Sequence, residues 1–245
     1  MRMRAIHFEP SNQWPANTER KKRNSIALII AIHFRWHQVI LLFLAAAIFW
    51  ISLFCAPITQ AQIISAKVSG GEIQGEKVGE IGVFKGIPFA APPVGPLRWK
   101  APQPVKPWEG VRNATAFAPA PMQYSFGRHE NFSEDCLYLN VWTPATNANQ
   151  KLPVMVWIYG GAFIIGSTAW PSYEGANLAQ KGVIVVSVAY RLGAFGFLAH
   201  SELTREGGKG NFGLLDQIAG LRWVHDNISA LGGDPNQVTA IPQDF

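Results

Sequence analysis

The stretch from Pro153 to Phe163, PVMVWIYGGAF, constrains this chain more than any other. Val154 to Ile158 is an unbroken apolar run, too short for a helix and rich in β-branched and aromatic residues. It reads as a strand buried on both faces. The run then breaks into Gly160-Gly161-Ala162. Two glycines after a buried strand let the backbone turn sharply and bring its N–H groups close to a bound molecule. N–H groups aimed at one point stabilise the negative oxygen that develops when an ester or amide carbonyl is attacked. The plainer reading is a glycine turn with no chemistry.

A second run, Val183 to Tyr190, follows about 25 residues later, with a short helix expected over 172–181 between the two. Strand, helix and strand with near-continuous Val/Ile runs imply an α/β fold whose parallel sheet is covered on both faces. A longer helix is expected from Asn211 to about Ala230. Its apolar face carries Leu214, Leu215, Ile218, Leu221, Val224, Ile228 and Leu231, and Gly232-Gly233 ends it. Upstream, residues 63–84 alternate in polarity among many glycines, as short strands joined by tight turns do. The prolines of 88–107 exclude regular helix, but the interleaved Phe, Leu and Trp argue for a packed surface segment rather than a linker.

The formal net charge is +5, and its location matters more than its size. Residues 1–38 hold seven Lys/Arg and two acids, and residues 39–61 hold no charge. That leaves fourteen bases against fourteen acids in residues 62–245, so no basic face for nucleic acid is expected. Residues 39–56 are almost wholly apolar, and Thr59 and Ala61 make a small-x-small site. Basic region, apolar region and such a site are the parts of an export signal, with cleavage near Ala61. The basic region is long, and the apolar run approaches a membrane span. The alternative is therefore an uncleaved anchor touching the membrane through residues 39–56. Residues 1–61 are read as export signal or anchor, and 62–245 as the folded body. His33 and His37 are four apart but lack a third ligand, so no metal is expected, and nothing calls for a cofactor.

Several longer stretches resemble one family. FKGIPFAAPPVGPLRWKAPQPVKPWEGVRNAT (84–115), EDCLYLNVW (134–142), RLGAFGFL (191–198) and GNFGLLDQIAGLRWVHDNISALGGDPNQVT (210–239) are similar to the N-terminal part of the type-B carboxylesterases, which have the α/β-hydrolase fold. The resemblance implies a carboxylic ester hydrolase using a serine nucleophile, a histidine base and an oxyanion hole, with a small carboxylic ester as substrate. It places the oxyanion donors on the N–H groups of Gly161 and Ala162, with Gly160 shaping the loop. It also implies two structural ion pairs, Arg98 with Glu134 and Arg191 with Asp216. Many members bridge the cysteine matching Cys136 to one upstream. That partner is absent here, so Cys136 is expected to be a buried free thiol, with an intermolecular bridge as the alternative. The loop before Cys136 has no tryptophan where cholinesterases bind a quaternary ammonium, which disfavours a choline ester. His225 is read as structural or surface, because the family's catalytic histidine lies far downstream.

The family's nucleophile sits in a Gly-x-Ser-x-Gly elbow, and none occurs in the 245 residues. By spacing, Asp244 stands where the serine is expected, and Pro242 replaces a glycine of the turn. The expectation is a partial α/β-hydrolase fold, truncated before the nucleophile elbow and inactive alone. A non-catalytic cholinesterase-like binding protein and a membrane-anchored protein are the alternatives. Asn113, Asn131 and Asn227 begin glycosylation sequons, which matter only in a glycosylating compartment.

Overall fold

The computed structural model describes residues 43–46, 49, 61–124, 130–205 and 207–243. The chain divides into two compact units, Met1–Thr59 and Gln60–Phe245. In the first, residues 43–46 and 49 are helical, and Phe43, Leu44 and Phe49 are exposed. Among the described residues no helix is long and apolar enough to cross a membrane. Most of the stretch read as export signal or anchor lies outside the described residues, as do His33, His37 and Cys55.

The second unit opens with hairpins, as the alternating glycine-rich sequence implies. Strands β1 (Ser65–Val68) and β2 (Gly71–Gln74) pair antiparallel, and β5 (Val111–Asn113) adds parallel to β2. Strands β3 (Glu76–Val78) and β4 (Ile81–Pro88) form a second hairpin that turns at Gly79, with φ +59°. The short strands β6 (Ala120–Pro121) and β7 (Phe132–Ser133) pair parallel. The proline-rich segment is ordered, with one 3-10 turn at Gly95–Leu97. The Trp108 Nε1–H donates to the Glu72 carbonyl at 2.9 Å, and the Trp99 Nε1–H to that of Ala194 at 2.9 Å.

Among the described residues the main sheet has six strands in the order β11-β9-β10-β8-β4-β3, adding β8 (Tyr138–Thr143), β9 (Leu152–Ile158), β10 (Ile184–Val188) and β11 (Gly233–Pro242). The expected parallel arrangement holds for β10, β9 and β11, whereas β8 runs antiparallel to both β10 and β4. Helices are α1 (Ala176–Ala179), α2 (Gly193–Phe197), α3 (Ser201–Arg205) and α4 (Phe212–Asn227). Val154, Val156 and Ile158 of β9 join Ile184, Val186 and Val188 of β10 on one face, against Trp223 and Val224 of α4 and Ile228 just past its end. The other face packs Val185 with Ile81, Val83, Trp142 and Ala179. Strand β10 is buried on both faces, as expected. In β9, by contrast, Met155 and Trp157 are only half-buried, because α1 sits over β10, β8 and β4 rather than over β9.

Helix α4 corrects its sequence reading. Leu214 and Ile218 are 41% and 45% exposed, and the buried stripe is Phe212, Gly213, Asp216, Gly220, Trp223, Val224 and Asn227. Glycine decides this. A Cβ on Gly220 would lie 2.4 Å from Val188 Cγ1 of β10, and one on Gly213 2.6 Å from the Arg191 carbonyl oxygen just past that strand, so the helix packs closely where it has no side chain. The α-helix ends at Asn227 and tightens into a 3-10 turn over Ile228–Leu231, which Gly232 caps in the left-handed conformation at φ +86°.

Candidate active-site loop

Strands β9 and β11 run side by side, with Pro242 opposite Ile158, so their carboxyl ends open at one level. Open α/β sheets bind ligands at such ends. Past Ile158 the chain enters the Gly-Gly loop. Gly161 takes φ +111°, and a Cβ there would collide with the Ile165 carbonyl oxygen. Ala162 and Phe163 follow at φ +53° and +60°, two consecutive left-handed residues that are not glycine. Such strain persists only where the surroundings over-determine it.

Those surroundings are visible. The N–H groups of Ile164 and Ile165 both donate to the Gly161 carbonyl, at 2.9 and 3.1 Å. The Gly193 N–H donates to the Phe163 carbonyl at 2.7 Å. Gln123 clamps the loop's far end, donating to the Gly166 carbonyl at 2.7 Å and accepting the Gly166 N–H at 2.9 Å. Beneath the loop, the rings of Tyr159 and Tyr190 stack 4.6 Å apart. Each hydroxyl donates to the other residue's carbonyl, at 3.0 and 2.9 Å.

The three loop N–H groups differ in what they meet. That of Gly160 donates to Gln243 Oε1 at 3.2 Å. The same oxygen accepts the Tyr173 hydroxyl at 2.6 Å, and the Gln243 N–H donates to the Ile158 carbonyl at 2.9 Å. Among the described residues, no protein acceptor takes the N–H of Gly161 or Ala162. Gly161 is half-buried and Ala162 is exposed. Beside them lies a groove of about 450 Å³ lined by Ala162, Phe163, Ile164, Gly193, Ala194 and Phe197, with Leu198 and Ala199 at its end. No lining residue carries a charge.

Both ion pairs expected from the sequence are present. Arg98 meets Glu134 through two nitrogens, each 2.5 Å from a carboxylate oxygen. Arg191 meets Asp216 through Nε and Nη2 at 2.8 and 2.7 Å, with the two side chains 3% and 0% exposed. Burial pushes the Asp216 carboxyl above its usual range, and Arg191 offsets part of that rise. Cys136 is a free buried thiol whose deprotonation burial strongly disfavours. His225 is 70% exposed and pairs with the neighbouring Asp226. Asn113 and Asn131 are exposed, whereas the buried Asn227 accepts from the Ser69 N–H and hydroxyl at 2.7 and 2.9 Å. Asp244 lies outside the described residues. Among the described residues, no group of three or more His, Cys, Asp or Glu could hold a metal ion.

Sequence reasoning missed Gln123, Tyr173 and Gln243. Gln243 carried a usable signal, since it directly follows the strand that feeds the expected elbow. Gln123 carried none, because it reaches Gly166 across 43 residues of chain.

Burial raises the hydroxyls of Tyr138 and Tyr190 to about 12 each, with the neighbouring Asp135 and Tyr173 adding to the respective rises. An unfolded tyrosine releases its proton near pH ~10. The folded state therefore keeps its full stability below that pH and loses it as the pH climbs toward about 12. Thermal melts between pH ~9 and ~12 should show the midpoint falling. Tyr190→Phe should fall less steeply than wild type over that window, whatever its starting midpoint.

The model of the carboxylesterase family matches residues 60–244. Over 176 residues the chain is 50% identical to the fumonisin B1 esterase of Sphingopyxis macrogoltabida and 49% identical to the para-nitrobenzyl esterase of Bacillus subtilis (strain 168). Each alignment takes in 69% of this chain, and 32% and 36% of those relatives. Carboxylesterase 1D of Rattus norvegicus is 42% identical over 84% of this chain and 38% of the relative. A solved para-nitrobenzyl esterase superposes with a TM-score of 0.69 at 45% identity, over 76% of this chain and 39% of that one. The Geobacillus stearothermophilus carboxylesterase gives 0.66 at 44% identity. The chain thus spans about a third of the length of the curated relatives it matches. A family match over three quarters of its residues, on a shared α/β-hydrolase framework, makes this chain a member of the carboxylesterase family.

Proposed function

We propose that this chain supplies the oxyanion-binding part of a carboxylic ester hydrolase. The N–H groups of Gly161 and Ala162 are the donors, and Gly160 shapes the loop. The observation that carries the reading is the pair of adjacent N–H groups for which the described residues offer no acceptor, on a strained loop at the open end of β9. Two such donors favour the transition state of ester cleavage, in which charge moves onto the carbonyl oxygen. The uncharged groove beside them suits the apolar part of a small carboxylic ester.

The 245 residues contain no Gly-x-Ser-x-Gly. A hole for the oxyanion without an attacking serine leaves only weak background catalysis. These residues alone are therefore expected to hydrolyse a short-chain nitrophenyl ester no faster than background. The assay is run with and without a serine-directed phosphonate. Turnover that the phosphonate abolishes would overturn the reading of an incomplete catalytic set.

The N-terminal sequence supports export, with cleavage after Ala61, over an anchor touching the membrane through residues 39–56. N-terminal sequencing of the product recovered from an exporting bacterial host should begin at Gln62. Full-length chain in the membrane fraction would favour the anchor instead.

A further inference from the structure

The two ion pairs border one small cavity of about 10 Å³, whose lining includes Arg98, Glu134, Cys136, Arg191 and Leu192. The other donors of the Arg191 side chain are engaged. Nε and Nη2 bind Asp216, and Nη2 also donates to the Lys100 carbonyl at 2.9 Å. Its Nη1 is buried, and among the described residues no protein group accepts from it. A guanidinium N–H shut away from every acceptor is costly, about 1–3 kcal/mol or more for a charged group. Native structures relieve such groups with an internal ligand.

We propose that one structural water occupies this cavity, accepts from Arg191 Nη1 and donates to the Glu134 carboxylate. The volume is about that of one water probe. Two polar partners are the least an internal water needs, and the Cys136 thiol in the same wall is a weak third. An anion is the rival ligand for a guanidinium. It is disfavoured because Glu134 contributes a carboxylate to the lining and Asp216 already neutralises Arg191. The water joins the two pairs into one network, from the proline-rich segment at Arg98 to helix α4 at Asp216.

A crystal structure of the full chain, fine enough to show ordered water, tests this. The expected result is a density peak about 2.7–3.2 Å from Arg191 Nη1. A bromide soak should leave no anomalous signal at that point. The absence of a peak, or a bromide in its place, overturns the proposal. Oxygen-17 relaxation dispersion in solution is an independent measurement. Cys136→Met extends an apolar side chain into the cavity and should remove the contribution of one long-lived water. An unchanged dispersion profile in a folded C136M protein also overturns it, and if that variant does not fold, the crystal result decides alone.

Discussion

Asp216→Ala is expected to destabilise the folded body by about 3–5 kcal/mol, enough to unfold many domains at physiological temperature. The reason lies on the other side of the pair. Arg191 is 3% exposed, so removing its carboxylate leaves a buried positive charge uncompensated. Asp216 also accepts the Arg191 backbone N–H at 3.1 Å, so the chain just past β10 loses an anchor as well. Chemical denaturation monitored by circular dichroism measures the loss. The double variant Arg191→Met with Asp216→Leu should recover most of it, because an apolar pair of similar volume carries no desolvation cost. A single variant within about 1 kcal/mol of wild type would show that the guanidinium charge is compensated without its carboxylate.

The second large effect concerns association. Among the described residues, β11 pairs with β9 alone, and its Thr239 and Ala240 are exposed. No residue from Asn236 to Gln243 is charged, so that part of the edge lacks a charge that would repel a like strand. Leu214 and Ile218 add exposed apolar surface on α4. Residues 62–245 produced alone are therefore expected to self-associate, with most of the protein eluting ahead of the monomer in size-exclusion chromatography with light scattering. Ala240→Lys places a charge on the edge and should raise the monomer fraction several-fold. A monomeric wild-type peak with one cooperative thermal transition would overturn this.

The strand cores, the Gly-Gly break and both ion pairs were legible in the sequence, because each rests on a short local pattern or a family motif. The Ile184–Val188 run of β10 is continuous because both of its faces are covered. The face of α4 was not legible. Leu214 and Ile218 satisfy the helical period as well as the true stripe does, and periodicity assigns burial to leucine rather than to Gly213 and Gly220. Close approach of backbones selects for the absence of a side chain, which a hydrophobic count scores as nothing. The clamps on the loop were hidden for a different reason. Gln123 and Tyr173 act across long separations in sequence, and a single polar residue in a loop carries no period.

Gln243 has a consequence for how this loop can vary. One side-chain oxygen receives both Gly160 and Tyr173, while the same residue's backbone holds the tip of β9. Three pieces of chain thus share a single knot. A substitution that suits one of them disturbs the other two, so tolerated replacements at 160, 173 and 243 should arise as coordinated sets rather than one at a time.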